Sequence, residues 1–396
     1  MSPSPYTPEK VPTREELIVR AQDLIPLLRR NAEQTERESK VPDENVVAMR
    51  EAGLLRLSTP RAWGGWELPM RHQVEILSEL GRGCPSTGWI AANHAASVDL
   101  VMLMPKAGLE EIYGADPDAV MLSAASLDPG LRADTVPGGL KVNGRFPYAS
   151  GCELSDWAFL AWVPVYEDGE QTGVANLLAP PTELRIERTW KVAGLLGTGT
   201  HAMVAEDLFV PDRFVQFAPL LPSGQPDSPV PATVLIKGNL HSLSSLVGGA
   251  RGALDLVRAK LEEHKPLAFS TYSRAVDSAA VQQAFAEATH LIDTGVLHML
   301  AVADGFDSVP EGEDASPAER ARLRMHMVSS LERCREAMQR LLDLAGTSGF
   351  AQSNPVQRYW RDLEIGSRHT ALNRPMIFED YARSLLGTGE PVSLLF

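Results

Sequence analysis

The stretch GGLKVNGRFPYASGCELSDWAFLAW, Gly138 to Trp162, is the one on which the fold turns. Up to Ala149 its side chains alternate in character, as those of a half-buried strand do, and its closing run WAFLAW is apolar and of strand length. Between the two stands a Ser-Gly corner. There the small Gly151 lets backbone approach a flat ligand closely, and Ser150 presents a hydroxyl. A turn between strands and a ligand-facing corner are both open to such a pair.

Outward from this stretch lie AVMLSAAS, GVANLLAP and AMVAEDLFVP, short and apolar or alternating, parted by Gly, Pro and Asp turns. Residues 119–232 therefore read as a β-domain. Both flanks are helical. In residues 1–118, Thr13 and Glu16 have capping-box spacing and precede apolar residues at helical intervals, Leu17, Ala21, Leu24, Leu27 and Leu28. VPDENVVAMREAGLL, MRHQVEILSELGRG and the segment from Ser86 to Met104 continue the pattern. In residues 233–396, three long helical segments and a last one through QRYWRDLEIG predict a four-helix bundle, with SVPEGEDASPAE as an exposed loop. The expected class is α+β: an N-terminal helical domain, a central β-barrel or sandwich, and a C-terminal four-helix bundle.

Composition narrows the function. Over 396 residues the chain is 44% hydrophobic and 22% charged, ordinary for a globular protein, and its net charge of -14 argues against nucleic-acid or anionic-membrane partners. Cys84, Cys152 and Cys334 stand far apart without metal-ligand spacing, which suits a reducing compartment. The opening MSPSPYTPEKVP has no apolar core, and no apolar run approaches the roughly 18 residues that span a bilayer, so a soluble, cytoplasmic protein is expected.

Three further features carry possible chemistry. The loop WKVAGLLGTGT interleaves Gly194, Gly197 and Gly199 with Thr198 and Thr200, and can serve as an anion-friendly loop or as a plain structural turn; without GxGxxG it makes no Rossmann claim. His94, alone on a mostly apolar helix, is either a hydrogen-bonded core residue or a reactive one. Glu287 and His290 form a single Glu-x-x-His pair, whereas a di-iron bundle needs two, so no metal is expected.

The order of helices, β-domain and bundle, together with five phrases, resembles the acyl-CoA dehydrogenase fold. The phrases are STPRAWGGWEL (Ser58 to Leu68), CPSTGWIAANH (Cys84 to His94), the opening stretch, WKVAGLLGTGTHAMVAEDLFVPDRFV (Trp190 to Val215) and RYWRDLEIGSRH (Arg358 to His369). The closer resemblance is to the flavin-dependent, two-component (group D) monooxygenase branch, which includes hydroxylases of 4-hydroxyphenylacetate and amino-sugar N-oxygenases. It covers nearly the whole chain.

What the resemblance implies is specific. Ser150 and Gly151 would lie at the reactive face of the flavin, with Ser150 near N5; Trp190, Gly197, Thr198 and Thr200 would pack beside it. His94 would face the substrate as a hydrogen-bond partner or acid/base, and His369 would stand close to the flavin. Arg251 would contact reduced flavin or only a carboxylate. Arg361 and Asp362 would pair with each other to fix the last helix.

The same resemblance separates two chemistries. A dehydrogenase needs a carboxylate base for the α-proton of a thioester. Where phrases like RDAKIxxIYEGT carry that glutamate, RDLEIGSRHT has His369 and Thr370; where other dehydrogenases carry it, LVGGARGALD has Arg251 and no glutamate. The RxxFG phrase that serves FAD is also missing, with Ser270, Thr271 and Tyr272 in its place. The expectation is a monooxygenase taking reduced FMN, with FAD possible, from a separate NAD(P)H-dependent reductase, and hydroxylating a phenolic or amine small molecule through a C4a-hydroperoxide. Tetramers are usual in the fold, so a homotetramer is expected. A CoA-ester dehydrogenase with a displaced base, or a flavin-free binding module, are the rival readings.

Overall fold

The computed structural model describes residues 10–223, 230–310 and 313–393; the proline-bearing residues 1–9, and Glu311 and Gly312 of the acidic loop, lie outside them. Five helices come first: α1 (Arg14–Glu38), α2 (Asp43–Glu51), α3 (Met70–Gly83), α4 (Pro85–Val101) and α5 (Lys106–Ala115). The capping box that opens α1 is present. Thr13 Oγ1 accepts the Glu16 N–H at 3.2 Å, and the Glu16 carboxylate accepts the Thr13 N–H at 2.7 Å.

Eight strands follow: β1 (Met121–Ala125), β2 (Arg132–Val136), β3 (Gly139–Ala149), β4 (Trp157–Glu167), β5 (Glu170–Ala179), β6 (Arg185–Glu187), β7 (His201–Pro211) and β8 (Val215–Pro219). They form one sheet in the order β6-β7-β3-β2-β4-β5-β8, with β1 parallel to the first half of β4. Register shifts between β3 and β7 and between β4 and β5 bend it, because an extra residue on one strand of a pair tightens the local twist. One shift falls between Phe146 and Ala149, immediately before the Ser-Gly corner.

The C-terminal part holds α6 (Ala232–Glu262), α7 (Ala279–Asp307), α8 (Pro317–Ala345) and α9 (Pro355–Gly366). A fifth helix, α10 (Arg374–Leu386), adds to the four expected, and a buried ion pair fastens it to α8: Arg324 Nη1 to Asp380 Oδ2, 2.9 Å. Residues 56 apart in sequence give no local sign of such a pair.

Helix α4 holds the three parts together. Val98 lies in the core of the sheet, Trp89 in that of the bundle, and Ala91, Ala92 and Ala95 in that of the N-terminal helices. A helix apolar all round is a buried one, and this explains why α4 shows no polar face. Against α6 the approach is close: a Cβ on Gly88 would sit 3.1 Å from the Ser245 Cβ.

Candidate functional site

The corner is built by a bulge. The shift in β3 leaves Tyr148 at φ +59°, a left-handed conformation unfavourable for a bulky residue, and turns its ring out to solvent with 72% of its surface exposed. Gly151 follows at φ +79°, a value that glycine alone adopts without strain, and its N–H donates to the Thr198 carbonyl at 2.8 Å. Corner and glycine-rich loop are thereby tied into one surface. Behind Gly151 stands Ile90 of α4, 3.1 Å from where a Cβ would project.

Three hydroxyls cross this junction in a row. Ser150 Oγ lies 2.8 Å from Thr200 Oγ1, which lies 2.6 Å from Thr198 Oγ1, and Thr198 donates to the Leu195 carbonyl at 2.7 Å. The same carbonyl accepts the Trp190 indole N–H at 2.8 Å. Leu195 is itself left-handed, φ +48°, and its N–H donates to the buried carboxylate of Asp362 on α9 at 2.5 Å. The Leu195 peptide is therefore the hub on which Trp190, Thr198 and α9 converge. Burial pushes the Asp362 carboxyl up to about 7.

This corrects the expected pairing of Arg361 with Asp362. Arg361 instead bonds Glu36 of α1 at 2.6 Å and the Ala193 carbonyl, and Arg358 shares Glu36 at 2.7 Å. Successive residues on a helix point in different directions, so one serves α1 while the next serves the loop.

The glycines of the loop have reasons within the protein. A Cβ on Gly197 would lie 2.1 Å from Thr35 Cγ2, and one on Gly194 2.2 Å from the Arg361 carbonyl. Close packing on α1 and α9 explains both. Gly197 is thus a packing residue of the loop, while Thr198 and Thr200 carry its buried hydroxyls.

His369 follows α9 and is brought to the site by Trp89, whose ring centroid lies 5.8 Å away, edge to face. One turn of α4 therefore links the two halves of the site, Ile90 backing Gly151 and Trp89 touching His369. The Ala371 N–H approaches His369 Nδ1 at 3.4 Å, which leaves the proton on Nε2. His369 as a residue is exposed in the single chain, yet surrounding protein lowers its imidazole pKa by desolvation. An imidazole lowered in this way is neutral at working pH.

Two expected site residues are placed elsewhere. His94 is buried, with Nε2 bonded to the Leu55 carbonyl at 2.7 Å and Nδ1 accepting the Met121 N–H at 2.9 Å. Both ring nitrogens serve backbone, and burial lowers the pKa, so the imidazole is a neutral strut between α4 and β1 with no nitrogen left for acid/base work. Arg251 bonds the buried Glu79 at 2.8 Å and Ser78 at 3.2 Å, so its partner is a carboxylate. The Glu287 carboxylate of the lone Glu-x-x-His pair is held by Gln283 and Arg340.

Sequence reasoning missed two members, Asp362 as the clamp on Leu195 and His201, whose Nδ1 accepts the Trp190 N–H at 3.2 Å. His201 follows the glycine-rich loop directly, so its place in the quoted phrase was the available signal; Asp362 offered none. A groove of about 540 Å³ lined by Trp157, Phe209 and Phe214 on the β-domain contains none of these residues.

A planar heterocycle suits this arrangement. The left-handed Gly151 lets the corner turn tightly against Ile90, Tyr148 and Trp190 meet edge to face 6.4 Å apart beside it, and Ser150 at the end of the hydroxyl row offers polar contact to a ring edge. These residues would hold the tricyclic ring of a flavin.

Known proteins agree on the family. Residues 24–111 match the family Acyl-CoA dehydrogenase, N-terminal domain, and residues 241–374 match Acyl-CoA dehydrogenase, C-terminal domain. The chain is 30% identical to the flavin-dependent monooxygenase, oxygenase subunit HsaA, of Rhodococcus jostii (strain RHA1), over 93% of this chain and 96% of that one. It is also 30% identical to the FADH(2)-dependent resorcinol hydroxylase, oxygenase component, of Rhizobium sp. (strain MTP-10005), over 98% of each. Among solved structures, XiaF from Streptomyces sp. in complex with FADH2 and glycerol superposes with a TM-score of 0.86 at 30% identity, covering 96% of this chain and 97% of that one.

Proposed function

Because the chain belongs to the acyl-CoA dehydrogenase family, in its branch of flavin-dependent monooxygenase oxygenase subunits, we propose that it hydroxylates a small aromatic substrate, using O2 and reduced flavin delivered by a separate NAD(P)H-dependent reductase. The observation that carries this reading is the hydroxyl row Ser150, Thr200, Thr198 standing at a glycine corner, tied through Leu195 to the helix that delivers His369. Reduced flavin, when bound, supplies the electrons that activate O2 and carries one oxygen atom to the substrate.

The residues of the chain do the rest. Ser150 would meet ring nitrogen N5, and Tyr148 and Trp190 would bound the ring. Trp89 and Ile90 close the apolar side against water, which would otherwise divert the activated oxygen to peroxide. Neutral His369 donates from Nε2–H to negative charge at the ring or the substrate oxygen. The carboxylates of α9 are not free to serve as a dehydrogenase base: Glu364 is held by Arg335 at 3.1 Å and by Arg368, and Asp362 by the Leu195 N–H.

The expectation of FMN is tested beside FADH2, since relatives at 30% identity are described with FADH2 and the FMN-bound TdsC shares 18% identity. A homotetramer is supported by apolar groups open to solvent in the single chain: Leu297 of α7, Leu385 and Leu386 of α10, and Phe269 after α6. Sedimentation velocity measures it directly.

The test of function supplies the protein with anaerobically reduced FMN or FADH2, a panel of phenols and indoles, and 18O2. One 18O atom in a product ring is expected. Hydrogen peroxide as the sole product with every aromatic would refute the proposal, and anaerobic bleaching of oxidised flavin by an acyl-CoA would establish the dehydrogenase instead.

A further inference from the structure

The hydroxyl row has a direction. Each hydroxyl owns one proton, and the row ends on a carbonyl, which can only accept. Thr198 donates to the Leu195 carbonyl at 2.7 Å, so its single proton is committed and it can only accept from Thr200 at 2.6 Å. The proton of Thr200 is then committed in turn, and the 2.8 Å bond to Ser150 must be donated by Ser150. Proton counting alone sets the order: Ser150 to Thr200 to Thr198 to Leu195. The Leu195 carbonyl also accepts the Trp190 indole N–H and the Thr198 N–H, so its acceptor role is fixed from three sides. All three hydroxyl residues are buried, which denies the row a water that could reverse it.

We infer that this polarised row makes Ser150 an acceptor only, and that Thr200 and Thr198 act as positioning residues through which the protein selects reduced over oxidised flavin. The inference rests on the flavin reading above. Two-electron reduction of a flavin turns N5 from a hydrogen-bond acceptor into an N–H donor. An acceptor-only Ser150 bonds that N–H without any rearrangement. For oxidised flavin, Ser150 must swing its proton from Thr200 to N5 and forfeit the bond inside the row. The net worth of one such bond corresponds to about fivefold in an equilibrium constant. For an oxygenase that must take up flavin already reduced, this favours the productive redox state and lets spent flavin leave.

The test is the ratio of dissociation constants for oxidised and reduced flavin, measured anaerobically with FMN and with FAD, together with the midpoint potential of the bound flavin. Thr200→Val removes the acceptor of the Ser150 proton while keeping shape. The ratio should fall about fivefold, lowering the midpoint potential by about 20 mV for a two-electron couple. Thr198→Val, which frees the proton of Thr200 to turn toward Ser150, should move the ratio the same way, and Thr200→Ser should restore the wild-type value. A packing defect would weaken both redox states alike and leave the ratio and the potential unmoved. Should both valine variants bind flavin with the wild-type ratio, the row does not set redox preference and the inference falls. Should the wild-type protein bind neither redox state, the flavin reading itself falls, and this with it.

Discussion

Substitution of Asp362 tests how the site is held. Its carboxyl is buried, accepts the Leu195 N–H at 2.5 Å, and is pushed up to about 7 by burial. A carboxyl raised in the folded state favours folding when protonated. Its contribution is full below the unfolded pKa of ~4, is lost as pH rises to about 7, and is constant above that. Asp362→Asn keeps an acceptor for Leu195 and removes the titration. Between pH 5 and pH 8, about two pH units of linkage, or about 3 kcal/mol, should accrue in favour of the variant. With an unfolding entropy of about 2.1 cal/mol/K per residue, that is a relative gain of roughly 3–4 °C in Tm. Asp362→Ala also removes the titration but leaves the Leu195 N–H buried and unpaired, so it should lie about 1–3 kcal/mol below Asp362→Asn at any pH. The assay is thermal unfolding of the three proteins at pH 5, 6.5 and 8 at fixed protein concentration. Parallel pH profiles for wild type and Asp362→Asn would refute the buried titration, and an alanine variant as stable as Asp362→Asn would refute the clamp.

Three other substitutions separate chemistry from packing. His369→Ala should bind reduced flavin yet divert electrons, with the ratio of hydroxylated product to hydrogen peroxide falling by about tenfold or more; an unchanged ratio returns His369 to the packing residues. His94→Ala leaves the Leu55 carbonyl and the Met121 N–H without partners, at about 1–3 kcal/mol each, so Tm should fall while the product-to-peroxide ratio of the folded protein holds. A ratio that collapses as it does for His369→Ala would make His94 a reacting group. Gly197→Ala drives a Cβ to 2.1 Å from Thr35 Cγ2 and should cost about 1–3 kcal/mol, read as a lower Tm, with Thr35→Ser in the same chain recovering part of it. No recovery would mean that the crowding lies elsewhere.

Much of this protein was readable from local pattern. Alternation and turn residues marked the strands around Gly138 to Trp162, helical spacing marked α1 and the long bundle helices, and the Ser-Gly corner stood out because it interrupts two strands. Such features depend on neighbours within a turn or a strand, so sequence order carries them. The helix α10 went unread, since its short run is secured by the distant pair Arg324 and Asp380 rather than by its own periodicity.

Residue roles divide along the same line. From sequence, His94 and His369 were both expected at the site, one toward the substrate and one beside the flavin; the fold gave the first two backbone partners and the second an edge-to-face contact with Trp89. Arg361 and Asp362, adjacent in the chain, were matched by charge, yet the helix turned them toward Glu36 and the Leu195 N–H. Which groups occupy a side chain's hydrogen-bonding capacity is a property of contacts between segments tens to hundreds of residues apart. Family, layers and corner follow from local pattern; contacts across the fold settle which histidine is spent on backbone through both nitrogens, what clamps the loop, and which way the protons of Ser150, Thr200 and Thr198 must point.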